Sequence, residues 1–400
     1  MLVVTANWAV ADGSLVTRPR REQVEWLATV RRAAIRAGVG RDGRYAPLER
    51  LDVVLAGDTF DALTSVAWLG GVRPWHEGRR AADVAARVLV AAAAGGRRLL
   101  GGLARWARTG LVVPAADTHG RPDWARPRRL PVRVALLPGD RDRWIAAALP
   151  RLARRGIDVA AAWSADGIAI CHGAEFDPVW SGADGPPEPG RPTLGESLAV
   201  DLVARFAAAS RADAAWPETR GLVARLASAR PFEMPAVVAA WRAAADRFTA
   251  RDVRDRWLAA IAGWRRAARV APPSCGVDGD PLDAIAAWLE GSESTNAAAG
   301  QLEMLLAAAV PRPPRGTVVL GHPPATCSAA AVVCLGPLDT AVEGAADDGR
   351  TGACIVAARP GSGPRHVVFS GPTPAAGWAW LGDAAAERRA VAVPGIVEAA

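Results

Sequence analysis

Four short polar clusters hold the residues able to do chemistry. Gly57-Asp58-Thr59-Phe60-Asp61 offers two carboxylates, and Gly139-Asp140-Arg141-Asp142 offers two more around a guanidinium. Cys171-His172-Gly173 adds an imidazole and Gly321-His322-Pro323-Pro324 a second. Carboxylates and imidazoles together suit Zn, Mn or Fe better than Ca or Cu(I). Asp58, Asp140, His172 and His322 are therefore the candidate metal ligands. Asp61 reads as a turn-stabilising carboxylate rather than a ligand. Arg141 is a fixed cation that can clamp a phosphoryl oxygen but cannot serve as an ordinary general acid. All 48 basic residues are Arg, so lysine Schiff-base chemistry and a phosphate-loop lysine are excluded. No Gly-x-Ser-x-Gly elbow is present, and Cys171 reads as the end of a buried strand rather than a nucleophile. Gly38-Val-Gly40-Arg-Asp-Gly43 follows a helical pattern and precedes a strand, the wrong context for dinucleotide binding, and reads as a surface loop.

These clusters need elements to aim them. Each follows an apolar, β-branched or leucine-rich run: 51–56, 132–137, 168–171 and 317–320, with a further run at 2–5. Short apolar runs separated by helical patterns predict strands buried on both faces, hence an α/β core. Ligands in such sheets collect at the carboxyl ends of the strands. Runs at 330–334, 353–357 and 366–369 extend the strand pattern, and 75–110 reads as a helical arm. Gly and Pro crowd 177–192, and helical spacing then continues from 194 to 310 before a Pro-rich stop at 311–316. The expected organisation is a core in two parts, 1–178 and 316–400, interrupted by a helical insertion, 179–315, that serves as a lid or partner surface. Trp241, Trp257, Trp264 and Trp288 sit in the helical patterns, where packing explains them better than base stacking.

Gly57-Asp58-x-x-Asp61, Gly139-Asp140-Arg141-Asp142, His172-Gly173 and Gly321-His322, in that order, resemble the motif series of the calcineurin-like metallophosphoesterases. His172-Gly-Ala-Glu-Phe-Asp177 is also similar to the form found in the UDP-diacylglucosamine hydrolase branch, which carries a helical lid between its two histidine motifs. The resemblance covers about residues 1–178 and 316–400. It implies a four-layer α/β/β/α sandwich and hydrolysis of a phosphomonoester or phosphodiester. The departures are confined to one side of the site. Where the family opens with Asp-x-His this chain has Ala6-Asn7-Trp8, and its closing Gly-His-x-His ends here in Pro324. The ligands of one metal are thus mostly missing, whereas Asp58, Asp140, His172 and His322 preserve the other set. Trp8 stands where a ligand would be and could fill that space. The family's proton-donating His is Arg141 here, and the acidic residue that steers it, Asp142, is kept.

Two accounts follow. In one, a single divalent ion (Mn, Zn or Fe) sits in the reduced site, Arg141 holds a phosphorylated small molecule or a lipid-linked substrate, and the protein is a hydrolase with Arg141 and Asp142 as its catalytic pair. In the other, no metal binds, Arg141 lies as the compensating charge between Asp58 and Asp140, and the protein is an inactive relative acting in binding or scaffolding. The net charge of +7 reflects an arginine-only bias, so Arg18–Arg21 and Arg126–Arg129 read as solvated faces and no nucleic-acid partner is expected. Half the residues are hydrophobic, enough for a large core. Five cysteines without a CxxC pair suggest reduced thiols and a cytoplasmic protein, and no segment reads as a membrane span.

Overall fold

The structure, a computed structural model, describes residues 1–15, 20–40, 42–165, 168–174, 177, 179–180, 190–212, 216–229, 233–274, 282–291 and five strands beyond residue 316. The first half builds β1 (Leu2–Thr5), β2 (Val10–Ala11), α1 (Arg20–Ala37), β3 (Leu51–Ala56) and β4 (Phe60–Asp61). Then come α2 (Arg79–Gly95), α3 (Arg97–Thr109), β5 (Leu111–Ala116), β6 (Pro122–Leu130) and β7 (Val132–Leu137). Short helices α4 (Ile145–Ala148) and α5 (Arg151–Arg154) lead to β8 (Ile157–Val159), β9 (Trp163–Ala165) and β10 (Ile168–Cys171). The C-terminal strands are β11 (Thr317–Leu320), β12 (Val332–Cys334), β13 (Ala353–Ala357), β14 (Arg365–Phe369) and β15 (Ala379–Leu381).

The fold is mixed α/β. One sheet runs β15-β14-β13-β1-β3-β7-β8, with β1, β3, β7 and β8 parallel to their neighbours and β13–β15 added antiparallel. A second sheet runs β12-β11-β10-β9. Every residue of β1 and β3 is buried, as expected of strands covered on both faces. Alternation along the strands sorts the two faces. Val3, Val53, Leu55, Val134 and Leu136 join the helices in the large core. Leu2, Val4, Val54, Ala56, Ala135 and Leu137 form a separate cluster with Ile170 of β10 and Trp163 of β9, which places the second sheet on the far face of the first.

The helices cover the near face through simple spacing. In α2 the buried residues are Ala81, Val84, Ala85, Val88, Leu89 and Ala92, a stripe at helical period. After Gly96, α3 buries Leu99, Leu100, Leu103 and Ala104. The strands at 2–5, 51–56, 132–137, 168–171 and 317–320 have the bounds expected from sequence, while β5, β6, β8 and β9 were not anticipated.

Between β10 and β11 lie α6 (Leu194–Ser197), a π-helical stretch Leu198–Ala204, α7 (Arg205–Arg211), α8 (Trp216–Ser228), α9 (Met234–Ala244), α10 (Arg247–Val270) and α11 (Leu282–Leu289). Asp246 caps α10 through the amides of Phe248 and Thr249. Its tryptophans are structural: the Trp257 indole donates to Leu289 O (3.0 Å) and Trp264 to Ser197 Oγ (2.9 Å). No helix among the described residues is long and apolar enough to cross a membrane.

Candidate metal centre

Adjacent parallel strands deliver their carboxyl ends side by side, and three of the expected ligands meet there. β3 ends at Ala56 and Gly57 turns the chain with φ 93°, placing Asp58 in the left-handed region at φ 50°. β7, the next strand, ends at Leu137, and Asp140 follows. His172 arrives from β10 in the other sheet. One donor atom from each of Asp58, Asp140 and His172 lies within 4.8 Å of the others. Ligands at roughly 2.1 Å from a common ion stand about 3–4 Å apart, so the group is close to a coordination geometry without rearrangement.

The glycines are what let these loops close. A Cβ at Gly57 would overlap the His172 ring, and one at Gly139 would overlap Asp58 Oδ1. Asp142 ties the two loops together: its Oδ1 accepts from Gly139 N (2.6 Å) and its Oδ2 from Phe60 N (3.0 Å). Both of its oxygens are thereby occupied by backbone, which makes it a brace for the motif loops. Asp61 accepts from Leu63 N (3.2 Å) and Thr64 N (3.0 Å) and pairs with Arg141 (3.3 Å), in keeping with a turn-stabilising role.

His172 is held in a telling orientation. Its Nδ1 faces the carbonyl of Ala56 (3.1 Å), so Nδ1 carries the hydrogen and donates. Its Nε2 then faces Asp140 Oδ1 at close range and Asp58 Oδ2 at 3.6 Å. A neutral Nε2 lone pair aimed at two carboxylates is repulsive, and only a proton or a cation resolves it. Burial lowers the imidazole, but Asp58 and Asp140 outweigh it and push His172 up to about 10. Burial and the neighbouring Asp140 push Asp58 up to about 6, against the pull of His172 and Arg141. Burial and Asp58 raise Asp142 to about 7, against the bonds from Gly139 and Phe60. The donor set, its tautomer and its excess negative charge all fit a divalent cation.

No family model, curated protein or solved structure matches this chain.

Arg141 is buried. His172 Nε2 faces both Asp58 and Asp140, and Arg141 adds a second positive charge beside them. The Arg141 guanidinium pairs with Asp61, stands 3.9 Å from Asp58 Oδ2 and lies 5.5 Å from the Trp180 ring centroid. The Arg141 amide also donates to Asp58 Oδ1 (3.0 Å), tying this loop to the Asp58 loop. Burial lowers its pKa, but Asp61, Asp58 and Asp140 raise it further, so it stays charged. With Thr64, Trp180 and the insertion residues Gly195, Leu198 and Met234 it lines a narrow pocket beside the ligand group.

Trp8 packs edge-on against Trp26 of α1, ring centroids 5.3 Å apart, within the large apolar core. His322 lies outside the described residues, although β11 runs parallel to β10 with Leu320 opposite Cys171. Pro324, Arg18, Cys275, Cys327 and most of 177–192 also lie outside them.

The sequence reading missed the contacts that seat the insertion on this site. Arg143 pairs with Glu196 (2.8 Å), and Arg73 pairs with Asp201 (2.9 Å), both carboxylates being buried. Thr193-Leu-Gly-Glu196 forms a reciprocal capping box, a pattern that was readable as a helix start. A Cβ at Gly195 would overlap Trp180, so the indole lies against that first turn, with the Arg141 guanidinium 5.5 Å from its ring centroid.

Proposed function

We propose that the protein is a metal-dependent phosphoester hydrolase that works through one divalent ion on a four-layer α/β/β/α sandwich. The observation carrying this reading is the convergence of Asp58, Asp140 and His172, with the Arg141 guanidinium one loop position away. His322 is the proposed fourth ligand. A divalent ion held by these residues would supply Lewis-acid stabilisation of charge developing on a phosphoryl group. The chain's own residues supply the rest. Arg141, desolvated and locked by Asp61, is a preset cation for a non-bridging phosphoryl oxygen. Asp142 keeps the Gly139 and Phe60 amides in register so that the ligand loops do not drift. Trp180 and the first turn of α6 shield the guanidinium from water, which strengthens its hold on an anion.

Arg141 cannot hand a proton to a departing oxygen. Substrates whose leaving group departs as a stable anion therefore suit this site better than alkyl esters. The second reading, a protein that keeps the fold and binds without turnover, is favoured by Ala6-Asn7-Trp8 in place of Asp-x-His, with Trp8 committed to the core. Metal analysis of the purified protein and hydrolysis of p-nitrophenyl phosphate and bis-p-nitrophenyl phosphate with added Mn separate the two. Bound metal with turnover that His172→Ala abolishes supports the hydrolase. Metal without turnover on any ester supports the binding protein, and no metal at all overturns the metal centre.

A further inference from the structure

We propose that the β5–β6 ribbon is a binding surface for single-stranded nucleic acid, separate from the metal centre. Among the described residues β5 and β6 pair only with each other, and β6 is exposed along nearly its whole length. Residues 121–129 read Arg-Pro-Asp-Trp-Ala-Arg-Pro-Arg-Arg: four of nine are Arg, against 48 in 400 for the chain. Compositional bias, which argues against a nucleic-acid partner for the chain as a whole, does not account for that density. The ribbon's own carboxylates are committed to partners within the ribbon. Asp117 accepts from the amides of His119 (2.9 Å) and Arg121 (2.6 Å), and Asp123 accepts from Ala125 N (2.9 Å) and pairs with Arg126 (2.7 Å).

An aromatic face completes the chemistry. Trp124 is 50% exposed, with the Arg31 guanidinium 5.0 Å from its ring centroid. Arg31 is itself anchored to the ribbon by a bond to Val112 O (3.1 Å), so the stack is fixed to the sheet rather than to a mobile chain. A half-open indole among guanidinium groups is the combination that takes an unstacked base and its flanking phosphates. The ribbon is also held stiff. Tyr45 N bonds Gly120 O (2.6 Å) and Tyr45 OH bonds Pro114 O (3.1 Å), which makes Tyr45 a brace.

Two other occupants fit less well. Pro122 and Pro127 lack the N–H groups that strand addition by a peptide would use. An anionic membrane would need an apolar wedge, and β6 exposes Arg, Pro, Ala and one Trp already flanked by Arg31. The ribbon enters β7 at its amino end, while Asp140 follows its carboxyl end. Six residues at about 3.3 Å each separate the two by roughly 20 Å. The two sites can therefore be tested apart.

The test is fluorescence anisotropy of the full chain with a labelled 20-nucleotide oligo-dT. Four arginine–phosphate contacts at about −0.7 each predict a log–log salt slope near −3, about a fiftyfold weakening from 50 to 200 mM salt. Arg126→Gln with Arg129→Gln should halve that slope. Trp124→Ala should weaken binding about tenfold with the slope unchanged, and Trp124→Phe should restore most of it. These changes lie on exposed positions, and circular dichroism confirms folding. No binding at 50 mM salt overturns the proposal, as does binding that the ribbon variants leave intact. Vesicles containing phosphatidylserine that displace the oligonucleotide and depend on Trp124 more strongly than it does would assign the ribbon to a membrane instead.

Discussion

Loading the site with metal should eject a proton from His172, and the amount can be worked from the geometry. In the metal-free protein the His172 Nε2 proton is held between Asp58 and Asp140, and the imidazole sits at about 10. A divalent ion needs that nitrogen bare. At pH 7 the imidazole must be deprotonated about three pH units below its own pKa, which costs about 4 kcal/mol of the ion's binding energy. Asp58, at about 6, is mostly ionised already and adds little. Log apparent affinity for Mn should then rise by about one per pH unit from 7 to 9, roughly a hundredfold in all, and steepen below pH 6, where Asp58 must also lose its proton. Titration calorimetry at pH 7 in two buffers of different ionisation enthalpy should count about one proton released per ion. An affinity that stays flat from pH 7 to 9 with no proton released would refute the assignment of Nε2 as the ligand atom.

Four further outcomes follow from the same contacts. Without metal, the raised His172 contributes stability that is full below its ordinary pKa of about 6.5 and is lost as pH climbs toward 10, with a ceiling of about 5 kcal/mol; thermal melts should fall across that window, and excess Mn should reverse the trend. Gly57→Ala forces a Cβ into the His172 ring at a left-handed position, so metal should be lost in elemental analysis and stability should drop by at least about 1 kcal/mol in urea. If turnover is found, rates should depend steeply on leaving-group pKa, with aryl phosphates far ahead of alkyl ones; equal rates would show that a proton donor other than Arg141 is present. Asp201→Ala removes the partner of Arg73 and of the half-exposed Arg205, and should cost about 2 kcal/mol and speed proteolysis within the insertion.

What could be read in advance follows from the length of the signal. β3, β7 and β10 are apolar runs of four to six residues, each followed within three residues by a glycine and a polar ligand, so pattern and punctuation coincide. β6 was invisible for the opposite reason: Pro-Asp-Trp-Ala-Arg-Pro-Arg-Arg-Leu has no period-two alternation and two prolines, and only its pairing with β5 makes it a strand. Arg141 shows the limit at the site. Its place in the motif could be read, but its pairing with Asp61, eighty residues away, is set by how the two loops pack and not by local spacing. Glu196 and Asp201 lie more than fifty residues from Arg143 and Arg73, and no local spacing announces such pairs.

The backbone bears on whether the site is in use. Among the described residues three non-glycine positions have positive φ: Asn7 (56°), Ala9 (42°) and Asp58 (50°). All three meet at one crossing, where Asn7 N bonds Gly57 O (3.1 Å) and Ala9 N bonds Asp58 O (2.8 Å). Left-handed alanine costs about 1 kcal/mol or more, and such strain persists only where the surroundings over-determine it. The turn after β1, carrying Asn7 and Trp8, clamps the loop that presents Asp58 through these backbone bonds. Packing of Trp8 can account for the turn at Asn7 and Ala9, but no apolar core requires a left-handed aspartate after β3, so a cluster that served packing alone would gain by relaxing Asp58. That clamp beside Asp58, together with an imidazole held with Nε2 facing two carboxylates, fits a centre able to hold a cation better than a cluster that serves packing alone.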